Sequence, residues 1–483
     1  MSGAERKPGI SHLPDREKDF SGWYNKVIIE SGLADYGEAK GTVILPPYGY
    51  ALWENIVGAM DEQIKKAGVS NTYFPLFIPM HLLEKEQDHV EGFSPHFAVV
   101  THGGGKKLEE PLVVRPTSET IMYPYYKKII QSWRDLPVLF NQWNNVVRWE
   151  KRTTLLLRTT EFLWQEGHTA HATHEESWNE VLRALAMYKE VYQNYLAIPG
   201  YAGVKSNSEK FAGADATTTL ELLMPDGRAL QGCTSHDLGQ NFSKTFDIKF
   251  QGKDGSTQYA WQTSWGFTTR SVGALVMVHG DQKGLRLPPK IAPTQVVIVP
   301  IPGKNNIDSA AKSREIAETL SENGVRVLID DSDSLTPGAK FNKWEKKGVP
   351  VRIEIGDREA LGQTVVVYRR DEDKKYFSSV NFIGEDIPNL LDQIQENMLA
   401  QAEKFLEANT HEVGSYDKFK EIMTTSRGMI KAFWCEDAGC EENIKTETKA
   451  STRCLPFGSE EEHGQCVYCN KEATHRWIFA QSY

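Results

Sequence analysis

Residues 145–177 read NVVRWEKRTTLLLRTTEFLWQEGHTAHATHEES, and this stretch decides the fold. Two strand-like runs, VLFNQWNNVVRWE (138–150) and FLWQEGHTAHAT (162–173), flank the loop KRTTLLL (151–157). The spacing predicts a strand–loop–strand unit with Arg148, Glu150 and Arg158 at its open end. A guanidinium fork binds phosphate or carboxylate through two parallel hydrogen bonds. Two arginines ten residues apart, one on each limb, can hold a polyphosphate from both sides; a pair of structural salt bridges is the plainer alternative. Strand period two puts Trp164, Glu166 and His168 on one face. An aromatic wall with a carboxylate suits a small amine or cation, and ordinary packing of Trp164 is the alternative. His168, His171 and His174 recur every third residue, which does not converge on a strand and misses the H-E-x-x-H spacing.

Outward from this unit the texture stays strand-rich, with FAVVTH (97–102), EPLVVRP (110–116) and QTSWGFTTRSVGALVMVHGD (262–281). Helices are expected at about 118–131 and 173–197, giving an antiparallel sheet flanked by helices. RPTSET (115–120) sets Thr117 and Glu119 at a strand-to-helix junction. There Ser118–Glu119 is a helix-start signal, and Glu119 is also a candidate amine-binding carboxylate. In TSWGFTTR (263–270), Arg270 opens a small, apolar helix, where exposed N–H groups favour a phosphate. HGGGK (102–106) lacks the P-loop frame and reads as a turn. Upstream, a helix is expected over 19–31. A second carries the stripe Leu52, Ile56, Met60 and Ile64 up to Gly68. TYFPLFIP (72–79) reads as a buried strand whose Pro75 points to an edge, a bulge or an interface.

The 483 residues suggest roughly three domains at about 100–200 residues each. Charged residues make up 25% and hydrophobic ones 40%, which excludes disordered, collagen-like and small disulfide-stapled classes. The net charge of −10 neither suggests nor excludes nucleic acid, since a local basic groove can sit in an acidic chain. The N-terminal residues lack the apolar core of a signal peptide, and no apolar run approaches a membrane span. LPPKIAPTQ (287–295) marks a boundary. Beyond it, strands and helices alternate as in an α/β domain over 291–400 with mainly parallel pairing, followed by a helix at roughly 387–408. One cysteine, Cys233, stands apart, and five follow residue 430. That clustering reads as an intracellular chain with a terminal metal module. Cys435-x4-Cys440 and Cys466-x2-Cys469 supply two thiolate pairs for a structural zinc site, with Cys454 spare.

Taken together the strings resemble a class II aminoacyl-tRNA synthetase, and specifically the prolyl-tRNA synthetases of the archaeal/eukaryotic-like type, over nearly the whole chain. VVRWE…LRTTEFLWQEGH matches motif 2, the Leu52–Ala67 helix with the Pro75 segment matches motif 1, and the segment ending at Arg270 with its helix matches motif 3. RPTSE, EGFSP, QGCTSH, LGQNF, TSWG and MVHGD are typical of the prolyl enzymes. The resemblance implies an α+β catalytic domain (1–288), an α/β anticodon-binding domain (289–408) and a small C-terminal zinc-containing α+β domain (409–483). It implies a proline–tRNA ligase that activates L-proline with ATP to prolyl-adenylate, releases pyrophosphate and transfers proline to the 3′ end of tRNA(Pro). Arg148, Arg158 and Arg270 would be catalytic. Thr117, Glu119, Arg148, Trp164, Glu166, His168, Phe211, His236 and Ser264 would form the proline pocket. Phe93, Arg148, Glu150, Arg158, Thr159, Gln231, Thr234, Thr268 and Arg270 would bind ATP, with Gln231 near Mg²⁺. Glu345, Arg352, Glu354 and Arg358 would read the anticodon, helped by a locally basic surface of Lys340, Lys343, Lys346, Lys347, Arg352 and Arg358. Cys435, Cys440, Cys466 and Cys469 would hold Zn²⁺. Also implied are a homodimer through motif 1, a C-terminal Tyr483 that returns toward the active site, a cytoplasmic location without membrane contact, and no cis editing domain. Only about 100 residues separate His168 from Arg270. The motif 2 loop is more apolar than the family pattern, and Thr160 stands where many members carry a basic residue.

Overall fold

The computed structural model describes residues 13–84, 97–303 and 309–483. Its spine is an eleven-stranded sheet. The strands Val138–Val147 and Glu161–His171 pair antiparallel along their whole length. Trp261–Thr268 adds to the second of them, followed by Ala229–Gly239, Ala216–Leu223 and Tyr201–Val204. Helix His174–Glu190 covers the back of this sheet, capped by Thr173, with Glu175 and Glu176 in its first turn. Its buried Tyr188 hydrogen-bonds Gln165, a strand residue of opposite parity to Trp164 and Glu166. Gly167 has no room for a side chain, because a Cβ there would lie 2.1 Å from the Trp265 ring.

The helix of the Leu52 stripe runs over Pro47–Lys66, with proline in its first turn, and buries Leu52, Trp53, Ile56, Met60 and Ile64. The following segment differs from expectation. TYFPLFIP is not one buried strand: within it only Phe77–Pro79 joins a ladder, in a different sheet from Ser70–Asn71 just before it. Pro75 lies in the loop between them. Gln142 accepts the backbone N–H of Phe74, and Arg115 Nη1 donates to the Phe74 carbonyl at 2.8 Å. Side chains thus satisfy the polar groups that a strand ladder would otherwise have paired.

Residues 296–379 form a five-stranded sheet in which Val296–Pro300 pairs parallel with Val327–Ile329 and Val351–Ile355. Thr364–Arg369 and Lys374–Ser379 then add antiparallel. The pairing is mixed, not mainly parallel, because the last two strands are joined by a short turn with no crossover helix. Helix Ser309–Glu322 packs on it. The long helix spans Ile383–Ala408 and starts earlier than the sequence suggested.

The C-terminal region has one small sheet of its own, Gly464–Gln465 paired with Glu472–Ala473, and its main strands lie elsewhere. Its strands Thr410–Glu412, Met429–Phe433, Arg476–Gln481 and Ala450–Pro456 extend the catalytic sheet, joined where Leu455 and Pro456 pair with Val204 and Gly203. A Cβ on Gly203 would lie 2.1 Å from the Leu455 carbonyl oxygen. Gly203→Val is expected to open this seam, at a cost of about 1–3 kcal/mol from overpacking. Thermal unfolding and limited proteolysis of the tail check it: an unchanged melting temperature with an uncut tail would contradict the seam.

Candidate active site

Above the front face of the sheet lies a cavity of about 400 Å³. The structure brings sixteen of the predicted site residues to its wall: Thr117, Glu119, Arg148, Glu150, Arg158, Thr159, Trp164, Glu166, His168, Phe211, Gln231, Thr234, His236, Ser264, Thr268 and Arg270. Phe93 lies outside the described residues. Leu157, Phe162, Lys205, Lys210 and Thr217 also line it and were not singled out from sequence. Phe162 shares the period-two face of Trp164 and was readable on that ground; Lys205, Lys210 and Thr217 carry no local motif.

Glu166 is the centre of the polar floor. Its two oxygens accept from Ser118 N (3.1 Å), the Ser118 hydroxyl, Gln142 Nε2 (3.2 Å) and Asn144 Nδ2 (2.7 Å), and meet His168 Nε2 at 3.1 Å. Burial alone would raise its pKa. The bonds from His168, Ser118 and Asn144 outweigh burial and hold the carboxyl below its ordinary range. Burial pushes His168 down, but the Glu119 and Glu166 carboxylates win and its pKa is raised. Both shifts favour a carboxylate facing an imidazolium. Ser118 does not cap helix Glu119–Ile129 as expected; its side chain is spent on Glu166. Glu166 is held by five donors, whereas Glu119, also on the cavity wall, accepts from the Thr117 hydroxyl.

Arg148 follows the end of its strand and is fixed by Nε donation to Pro116 O at 3.1 Å. Its guanidinium lies 5.6 and 5.3 Å from the Phe162 and Trp164 ring centroids. Desolvation lowers its pKa to about 10 despite nearby Glu119, and Arg270 adds to the lowering. Arg270, first residue of helix Arg270–His279, donates Nε to Leu157 O at 3.2 Å. Arg158 is exposed on the cavity rim. Opposite, His236 packs on Phe211 with ring centroids 4.8 Å apart and meets the Thr217 hydroxyl at 2.9 Å. Burial, then His168 and Lys205, push His236 down to about 3, so it is neutral. One end of the cavity is thus aromatic with one carboxylate, and the other carries arginines. The three histidines do not converge: His171 meets Thr169 at 2.7 Å and His174 meets Asp237 at 2.7 Å.

Away from the cavity, Sγ of Cys435 lies 3.7 Å from that of Cys440 and 3.6 Å from that of Cys469. With Cys466, all four sulfurs lie within 4.8 Å of one another. Cys454 is apart, its Sγ 3.9 Å from Tyr201 O. In the α/β region Arg352 is sandwiched between the Phe341 and Tyr368 rings at 4.1 and 4.2 Å and paired with Glu345 and Glu354. Arg358 is exposed on the short helix that follows. The expected basic surface is largely neutralised. Lys340 and Lys343 are tied to Asp330, Lys346 to Glu30, and Lys347 donates to Ser31 O. These partners lie outside the segment whose charges suggested it.

Known proteins agree with this arrangement. Residues 100–279 match the tRNA synthetase class II core domain (G, H, P, S and T), 295–390 the anticodon binding domain, and 416–483 the C-terminal domain of prolyl-tRNA synthetase. The "Proline--tRNA ligase" of Natranaerobius thermophilus is 49% identical over 481 residues, covering 98% of both chains. The chain belongs to the prolyl-tRNA synthetase family. It is thus an aminoacyl-tRNA synthetase, a ligase with an ATP-binding class II core. The "Proline--tRNA ligase" of Alkaliphilus oremlandii is 48% identical over 99% of both chains. Among solved structures, the prolyl-tRNA synthetase from Cryptosporidium parvum, complexed with halofuginone and AMPPNP, superposes with a TM-score of 0.94. It is 44% identical, over 98% of this chain and 99% of that one. Among the described residues no helix is long and apolar enough to cross a membrane.

Since His168 is raised, its stabilising charge is complete below the ordinary imidazole value of about 6.5 and is lost as pH rises through its folded value. Glu166, being depressed, loses its contribution only as pH falls through its folded value. The melting temperature is therefore expected to drop as pH rises above about 6.5, with a shallower slope in His168→Gln. Calorimetric melts of both proteins check this, and equal slopes would contradict the ion pair.

Proposed function

We propose that this synthetase activates L-proline with ATP to prolyl-adenylate, releases pyrophosphate, and passes proline to the 3′ end of tRNA(Pro). The observation that carries it is one cavity in which Glu119 and the Trp164 and Phe211 rings lie beside Arg148 and Arg270. Proline is a small cyclic secondary ammonium carrying a carboxylate. Its ammonium pairs with Glu119, its ring takes the Trp164–Phe211–His236 wall, and its carboxylate turns to Arg148. ATP lies along Arg148, Glu150, Arg158, Thr159, Thr234, Thr268 and Arg270. The proline carboxylate attacks the α-phosphorus in line, pyrophosphate leaves, and the tRNA hydroxyl later displaces AMP from the carbonyl. No side chain forms a bond, so the residues act by positioning and by neutralising charge. Gln231 offers an oxygen ligand for Mg²⁺, which takes its other ligands from phosphate and water. Arg148→Ala is expected to lower proline-dependent ATP–pyrophosphate exchange by about 10²–10³-fold, or about 2.7–4 kcal/mol. Near-normal exchange would overturn the assignment.

The finer features belong to the same reading. Zn²⁺ is held by Cys435, Cys440, Cys466 and Cys469. A tetrahedral thiolate site with Zn–S of about 2.3 Å needs sulfurs about 3.8 Å apart, and the separations of 3.6 and 3.7 Å suit it. Metal analysis is expected to find one bound zinc in the wild type and in Cys454→Ser, and none in Cys440→Ser. Loss in Cys454→Ser would overturn the ligand set. The anticodon is read by Glu345, Arg352, Glu354 and Arg358, with Phe341 beside Arg352 offering a stacking face. Dimerisation through motif 1 is supported by the exposed aromatics Tyr73 and Phe77 after its helix. Residues 172–260 are taken up by the covering helix, three strands of the catalytic sheet, the short helix Asn241–Phe246 and the hairpin Lys249–Tyr259, which supports the lack of a cis editing domain. The enzyme works in the cytoplasm, without membrane contact.

A further inference from the structure

Three buried ionic groups connect the C-terminal region to the wall of the active-site cavity. Glu221, on the strand Ala216–Leu223, is fully shielded from solvent. One of its oxygens accepts Arg453 Nε at 2.9 Å and Nη2 at 2.8 Å. The other lies 3.3 Å from Lys205 Nζ and accepts the Thr219 hydroxyl at 2.8 Å. Lys205 Nζ also donates to the Arg453 carbonyl oxygen at 3.4 Å. The Lys205 and Arg453 side chains are only 4% and 6% exposed. Two cations thus share one buried carboxylate; Glu209 also attracts Arg453, but it is a quarter exposed and pairs with Lys445 at 3.4 Å, so the positive charge of the buried group is only partly answered.

Lys205 is the member of the three that lines the cavity. It lies there with Thr217 and His236, and its charge contributes to keeping His236 neutral. Glu221 pairs across the sheet with Gln231, another residue of the cavity wall. The proposed reaction brings a carboxylate and a triphosphate together in this cavity, and their mutual repulsion must be offset.

We propose that Lys205 is an anion-binding residue for the reacting carboxylate or phosphate, and that Arg453 of the C-terminal region is its positioning residue through Glu221. This rests on the activation reaction proposed above. Arg453 touches no substrate; it holds Glu221 so that Lys205 keeps a fixed place on the cavity wall. The activity of the catalytic core then depends on a side chain contributed from the far end of the chain.

The test uses the full-length protein with Lys205→Met, Lys205→Arg, Arg453→Met, Arg453→Lys and the Lys205→Met/Arg453→Met double variant. Proline-dependent ATP–pyrophosphate exchange is measured with KM for proline and for ATP determined separately, and pyrophosphate binding to each protein is followed by calorimetry. Lys205→Met is expected to lower kcat/KM by about 10²-fold, with Lys205→Arg recovering part of the loss. A rise confined to KM for proline assigns the carboxylate as the anion. A rise in KM for ATP with weaker pyrophosphate binding assigns the phosphates. Arg453→Met is expected to shift the same constant about tenfold, with Arg453→Lys closer to wild type. The double variant is expected to be no worse than Lys205→Met alone, because the two act through one contact. Wild-type constants and pyrophosphate affinity in Lys205→Met would overturn the proposal. So would additive losses in the double variant. If Arg453→Met fails to fold, Arg453→Lys carries the same comparison. Absence of proline-dependent exchange in the wild type would instead sink the activation reading, while pyrophosphate binding still judges Lys205.

Discussion

The site depends on the shielding of one carboxylate. Glu166 is almost wholly shielded from water, so its charge has to be met largely by the protein. Its donors come from three places: the start of a helix (Ser118), the neighbouring strand (Gln142, Asn144) and its own strand (His168). Satisfying that charge fixes where the helix begins relative to the two strands. It also fixes Thr117 and Glu119, the residues on either side of Ser118. Glu166 is thereby locked to protein donors, and Glu119 is the carboxylate to which the proposed reading gives the ammonium. Arg148 belongs to the same frame through Pro116, in the same short segment.

What could be read in the sequence was what short periods carry. Period two put Trp164, Glu166 and His168 on one face, and the structure lines one cavity with all three. The two limbs around the motif 2 loop were legible from turn and strand chemistry, and the arginines came with them. Cysteine spacing separated four thiols from Cys454 without any knowledge of distance. Family strings added residues such as Gln231, Thr234 and Ser264, which no local pattern marks.

The failures share a cause: partners distant in sequence. TYFPLFIP has the composition of a buried strand, but Arg115 and Gln142 occupy its backbone groups. Ser118 reads as a cap until Glu166, from another strand, claims its hydroxyl. The lysines around residue 343 look like an exposed basic face until Asp330 and Glu30 are brought against them. Lys205 carries no motif at all, and its role emerges only where Glu221 and Arg453 meet it.

The sheet that crosses from the catalytic core into the C-terminal region also bears on how the chain survives synthesis. Until residues 450–456 emerge and dock, Tyr201–Val204 is a bare sheet edge, with unpaired N–H and C=O groups that a second chain can copy. Its short length limits that hazard but does not remove it. The last seventy or so residues therefore act, in effect, as a built-in guard against self-association, and a chain cut short before them would be prone to clump even with every active-site residue in place.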